Sequence, residues 1–178
     1  MRFRFVQNGE AMIYAGIGSR HTPSEILRQM ENIGTRLARL GCILRSGGAE
    51  GADLAFERGC DAAQGRKEIF LPWPGFNGRT EDVVLPPRET FLAVSGVDPA
   101  WEECAPTDWA MLARDCQQIL GQNLDNPVIF VVCWHVGGAG GTEQAVGIAT
   151  RYDIPVFNLR EFGALERLEQ ALCENLFS

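Results

Sequence analysis

Apolar positions along the chain alternate between two periods. "AMIYAGIG" is a continuous apolar run, the pattern of a strand buried on both faces, and it ends at Gly16 or Gly18. "TPSEILRQMENIGTRLARLG" then repeats Ile26, Met30, Ile33, Leu37 and Leu40 at helical spacing, which gives one face to pack on a sheet. Thr22 is the expected N-cap of that helix, with Pro23 at its first position, Glu25 three residues after the cap and Gly41 as its stop. "CILRS" predicts a second strand, "AEGADLAFERGCDAA" a second helix with Ala52, Ala55 and Phe56 inward, and "KEIFLPW" a third strand.

From Pro72 to Pro87, including "PGFNG", the chain reads as a surface loop, long enough for a structureless segment to suggest a role. Pro106 to Leu120 reads as helix, while the segment before it carries no clear period. "PVIFVVCW" is the most apolar strand and is expected at the centre of the sheet; a helix from Thr142 to Tyr152, the strand "IPVFNL" and a helix from about Phe162 complete the chain. Strands alternating with helices in this way predict an α/β fold, Rossmann-like and doubly wound, with a mainly parallel sheet flanked by helices. The 178 residues fit a single domain, 1–178, able to bury a core without disulfides or metal.

Composition narrows the function classes. A net charge of -7, with no cluster of Lys and Arg, disfavours nucleic acid as a partner. The six cysteines, Cys42, Cys60, Cys104, Cys116, Cys133 and Cys173, never stand in C-x-x-C spacing, so neither a metal site nor a redox dithiol is expected, and reduced, buried thiols in a cytoplasmic protein are. "MRFRFVQNGEAM" lacks the apolar core of a secretory signal, and no run approaches the roughly 20 apolar residues of a membrane span. No cofactor motif is present: neither the P-loop pattern nor G-x-G-x-x-G appears.

Three predicted strands end in glycine-rich loops: "GIGSR", "RSGGAEGAD" and "WHVGGAGGTEQ". In open α/β sheets ligands lie beyond the carboxyl ends of the strands, and each of these loops leads to a helix N-terminus, which favours an anion. The candidate ligand-binding residues are therefore Gly16, Gly18, Ser19 and Arg20; Arg45, Ser46, Gly47, Gly48 and Asp53; and Trp134, Gly138, Gly140, Gly141 and Thr142. Arg20 and Arg45 either line the cleft or form surface ion pairs, Asp53 is a helix-start carboxylate or a ribose ligand, and Trp73 and Trp134 either stack on a base or pack. Trp101 and Trp109 read as structural or as part of a dimer contact. Asn77 and Arg79 are placed by the long loop where they can close over a ligand. His21 and His135 are the only histidines, and no cysteine or carboxylate stands at a spacing that makes His135 a metal ligand or a triad member, so it reads as a solvated loop residue.

With "YAGIGSRHTP", "LRSGGAEGADLAFERG" and "GGAGGTEQAVGIA", the chain resembles the SLOG superfamily, which joins the DprA/Smf DNA-processing proteins and the LONELY GUY proteins. The resemblance runs from about Ile13 to Asn158 and, with "EIFLPWPGFNGR", is closer still to short phage and bacterial DprA-like proteins. It implies a Rossmann-like domain that binds a nucleotide or nucleotide derivative, commonly as a homodimer. LONELY GUY proteins cleave the N-glycosidic bond of nucleoside monophosphates with an arginine from M-x-x-R-K and a glutamate from P-G-G-x-G-T-x-x-E. "MLAR" carries the arginine onto Arg114, with Asp115 in place of the lysine; the glutamate position falls on Ala145, and Glu143 lies two residues earlier. Arg114 and Glu143 are thus the candidate catalytic pair, Arg114 for a phosphate and Glu143 for a ribose or acid/base work, with a carboxylate that merely complements the helix N-terminus as the alternative for Glu143. The other functions implied are a DprA-like accessory binding single-stranded DNA and a sensor that holds a nucleotide without turnover.

Overall fold

The computed structural model describes residues 12–96, 105–138 and 140–176. Residues 1–11 of the stretch read for a targeting signal, Trp101 and Cys104 lie outside the described residues. Five strands, β1 (Ile13–Gly18), β2 (Ile43–Ser46), β3 (Lys67–Ile69), β4 (Phe130–Trp134) and β5 (Val156–Asn158), form one sheet in the order β3-β2-β1-β4-β5. Every pairing is parallel. The helices are α1 (Ser24–Arg39), α2 (Ala52–Ala62), α3 (Arg88–Ser95), α4 (Pro106–Leu120), α5 (Gly141–Arg151) and α6 (Ala164–Leu176).

Side chains alternate across the sheet and divide the core in two. Tyr14, Leu44, Phe130, Val132 and Phe157 face α1, α2 and α6, whereas Ala15, Ile17, Val131 and Cys133 face the other layer of α3, α4 and α5. Because β4 is covered on both faces, Phe130 to Cys133 are all buried, which is why its sequence shows no polar alternation. Cys42, Cys60, Cys116 and Cys133 are buried free thiols, as expected, but Cys173 is exposed. No helix of the described residues is long and apolar enough to cross a membrane.

Three local expectations change. Thr22 does not cap α1: its hydroxyl donates to the carbonyl of Ser19 at 2.7 Å, and the helix starts at Ser24 behind Pro23. The third strand is only three residues long, after which Phe70 and Leu71 turn inward and a 3-10 turn forms at Phe76–Gly78. The segment without a clear period contains α3, whose Phe91 is buried edge-on against Trp109 at 4.8 Å between ring centres.

Candidate functional site

Strand order reverses between β1 and β4, and the crevice beyond their carboxyl ends is where such a sheet leaves room for a ligand. A cavity of about 400 Å³ opens there. Its walls come from the loop after β1 (Gly18, Ser19, Arg20, His21), from the loop after β4 with the first turn of α5 (His135 to Gly137, Gly140 to Glu143), and from Asp53, Arg114, Asp115 and Gln118. Arg114 and Glu143, far apart in sequence, therefore line one cavity.

The floor is a buried charge cluster. Arg114 is only 4 % exposed; its Nη1 lies 3.5 Å from Asp53 Oδ2 and its Nε 3.1 Å from Asp115 Oδ1, while Nη1 also donates to the Gly47 carbonyl at 3.2 Å. Asp53 Oδ2 in turn accepts the N–H groups of Gly47 and Ala49 at 3.1 and 3.2 Å. Burial pushes the Asp53 carboxyl up to about 7 against the pull of Arg114, and burial raises Asp115 as well. Two glycines admit this cluster. A Cβ on Gly47 would collide with the Arg114 guanidinium, and one on Gly141 would stand 2.6 Å from Asp115 Oδ2. Asp115 Oδ2 and Gln118 Nε2 are buried with no hydrogen-bond partner among the described residues.

The second glycine-rich loop touches the cavity only through Ala49 and Asp53, and the rest of it belongs to the frame. Its N–H groups at Gly47 and Ala49 are taken by Asp53, and Ser46 Oγ donates to the buried Glu57 at 2.8 Å. Arg45 sits beside Glu68 of β3 in register and donates to its carboxylate and to the Asn126 carbonyl, both at 2.6 Å, so it is buried away from the cleft. Gly48 packs on Leu71, and its carbonyl accepts the Asn77 amide at 3.0 Å. Arg79 pairs with Glu57 and Glu81. The long loop thus buttresses the back of the second loop and does not overhang the cavity. Arg45, Ser46, Gly47 and Gly48, together with Gly16 (packed under Phe56), Trp134 (packed on the core) and Gly138, were expected at the ligand and do not line the cavity. Trp73 meets Phe76 edge-on at 5.3 Å, not the cavity.

Residues of the first and third loops supply most of the rest of the lining. Helix α5 begins at Gly141 behind Gly140, with no side chain capping it, and its first internal bond is made by the N–H of Gln144 to the Gly140 carbonyl. The preceding N–H groups at the cavity edge, from Gly141 to Glu143, are the donors that an anion takes up at a helix N-terminus. Ser19, Arg20 and Thr142 stand at the same mouth.

His135 belongs to the site, against its sequence reading as a solvated loop residue. Its side chain is 19 % exposed and its Nδ1 lies 3.2 Å from Glu143 Oε2. Asn158, at the end of β5, grips the His135 peptide from both sides: the His135 N–H donates to Asn158 Oδ1 at 3.2 Å and Asn158 Nδ2 donates to the His135 carbonyl at 3.1 Å. Asn158 lies just after the apolar pair of a predicted strand, the position at a carboxyl strand end from which side chains reach a site. Asp115, Gln118 and Asn158 are the further contributors that motif spacing did not indicate. Among the described residues no cluster of side chains is suited to a metal ion.

Comparison with solved structures places the architecture. DNA processing protein A from Helicobacter pylori, described with its single-stranded DNA binding mode, is similar over 89 % of this chain and 72 % of its own, at 17 % identity and a TM-score of 0.54. The Moco carrier protein of Chlamydomonas rheinhardtii is similar over 92 % and 85 %, at 20 % identity and a TM-score of 0.52. DprA from Streptococcus pneumoniae covers 90 % of this chain and 56 % of its own, at 15 % identity and a TM-score of 0.55. The fold is Rossmann-like. These neighbours are SLOG-like Rossmann proteins, and at such identities the likeness is one of fold. No protein-family model matches the chain, and no curated protein matches it in sequence.

Proposed function

We propose that the cavity binds a nucleoside monophosphate or a close derivative, with the phosphate at the start of α5, and that the chain hydrolyses its N-glycosidic bond. The observation that carries this reading is that Arg20 and Glu143 line one cavity with the uncapped N-terminus of α5. The first-turn N–H groups, the hydroxyls of Ser19 and Thr142 and the guanidinium of Arg20 supply phosphate contacts. Beneath them, the unpartnered Asp115 Oδ2 and Gln118 Nε2 are an acceptor and a donor of the kind that sugar hydroxyls and base edges satisfy. Arg114, held between two carboxylates, keeps the floor in place in this reading, and the phosphate falls to Arg20 and the backbone.

Hydrolysis here joins a water oxygen to the anomeric carbon as the bond to the base nitrogen breaks, giving free base and ribose 5-phosphate. The sugar becomes cationic on the way, and the Glu143 carboxylate at the mouth offsets that charge. A thermal-shift panel of nucleoside monophosphates, followed by chromatography for free base, tests both halves. A melting temperature raised by a monophosphate, with base released by the wild type and not by Glu143→Ala, is the expected result; a flat panel removes binding, and binding without released base removes cleavage.

Single-stranded DNA is the second reading, favoured by the DNA-processing proteins among the structural neighbours. The net charge of -7 opposes it. A gel shift at low salt is expected to show no retarded strand, and a salt-sensitive complex would restore the DNA reading.

A further inference from the structure

The part of the cavity wall built from the loop after β4 and the start of α5 holds an imidazole and a carboxylate in contact. His135 Nδ1 stands 3.2 Å from Glu143 Oε2 and 3.1 Å from the Gly137 nitrogen. One nitrogen cannot serve both partners in the same state. With the proton on Nε2, Nδ1 accepts the Gly137 N–H; with the proton on Nδ1, it donates to Glu143 and leaves the lone pair on Nε2 free. In the second tautomer a carboxylate orients an imidazole whose other nitrogen is a base, the arrangement by which a general base is held ready.

The backbone that carries the ring is fixed to the same end. Asn158 holds both the N–H and the carbonyl of the His135 peptide, its Oδ1 also accepts the Arg160 N–H at 3.2 Å, and Arg160 Nη1 donates to the Val136 carbonyl at 2.9 Å. The start of a glycine-rich loop is thereby tied to the end of β5. Such support costs ordering and is unnecessary for a histidine that only meets solvent.

We propose that His135 is the general base of this site, oriented by Glu143 and positioned through its backbone by Asn158. The assignment rests on the cleavage reading given under Proposed function. In the step, Nε2 takes one proton from water as the water oxygen bonds to the anomeric carbon. The electron pair of the breaking C–N bond stays with the base, which takes up the proton from the imidazolium. Water is the sole co-reactant, and the negative charge of Glu143 faces the imidazolium while it exists.

The experiment uses the full chain and a nucleoside monophosphate that raises its melting temperature. Affinity is measured by titration calorimetry and turnover by chromatography for the wild type, His135→Gln and His135→Ala. Affinity is expected to stay within about 3-fold while turnover falls by about 100-fold or more, and added imidazole to restore part of the turnover in His135→Ala. Imidazole rescue separates a lost base from a merely distorted loop, because a distorted loop gains nothing from it. Turnover within about 3-fold of wild type in both variants overturns the assignment. Wild-type binding without any cleavage overturns the assignment together with the cleavage step but leaves nucleotide binding standing, and an absence of binding overturns the reading beneath both.

Discussion

Asp53 Oδ2 lies 3.5 Å from Nη1 of Arg114 and accepts two backbone N–H groups of the second glycine-rich loop. The N–H groups by which such a loop would hold an anion are thus already taken by the loop's own Asp53 carboxyl group. The carboxylate orders Gly47 and Ala49, and Gly47 in turn supplies a carbonyl to Arg114. Loop, helix α2 and helix α4 meet in a single buried ion cluster under the cavity.

Stability should carry the signature of that cluster in its pH dependence. Burial outweighs the pull of Arg114 and pushes the Asp53 carboxyl up to about 7 in the fold from its ordinary value of 3.8. Below the lower value both folded and unfolded chains are protonated there. Between the two, the folded chain keeps a proton the unfolded chain has released, so this group's contribution to stability is lost as pH rises through the window and is flat above it. Asp53→Asn removes that slope. Urea midpoints at about pH 4 and about pH 8 are expected to show the variant gaining on the wild type at the higher pH, whereas parallel curves would contradict the shift.

Arg114→Met leaves Asp53 and Asp115 buried without their shared cation. Breaking a buried pair in this way costs about 3–5 kcal/mol, and the loss should shrink at low pH, where both carboxyls are neutral. Denaturant unfolding at two pH values measures both the size and the trend.

Gly47→Ala should destabilise the fold although it is a minimal change. The added Cβ meets the Arg114 guanidinium, which is too tightly paired to swing aside, and overpacking of this kind costs about 1–3 kcal/mol. Replacing Arg114 in the same chain relieves the clash, so the double variant should fall short of the sum of the two single losses. An additive result would separate Gly47 from Arg114.

Arg20→Ala leaves the ion cluster untouched and is expected to keep its melting temperature while weakening nucleoside monophosphate binding about tenfold, the scale of one charge-assisted hydrogen bond. Calorimetry at two salt concentrations checks this, since the wild type should lose more affinity with added salt than the variant.

Much of this architecture was legible in the sequence. The order of strands and helices follows from periodicity because β4 is continuously apolar and α1 keeps a single apolar face, and parallel pairing follows from the alternation. Arg45 was not legible as a frame residue: what withdraws it from the cleft is Glu68 in register on the neighbouring strand, a pairing that appears only once the sheet is assembled. Residue counting likewise missed the contact of His135 with Glu143, because the glycines between them let the loop turn back in a path that spacing does not reveal. Helix α3 was hidden by its length of eight residues, too short to display a period.

The proposed function depends on a phosphate at the start of α5 that anchors a nucleoside in the cavity lined by Arg20 and Glu143. Titration calorimetry of the wild type with a nucleoside monophosphate and with the same nucleoside lacking its phosphate tests it most directly. Saturable binding of the monophosphate, with the bare nucleoside at least about tenfold weaker, is the predicted result. Equal affinity for the two, or no binding of either, would contradict it.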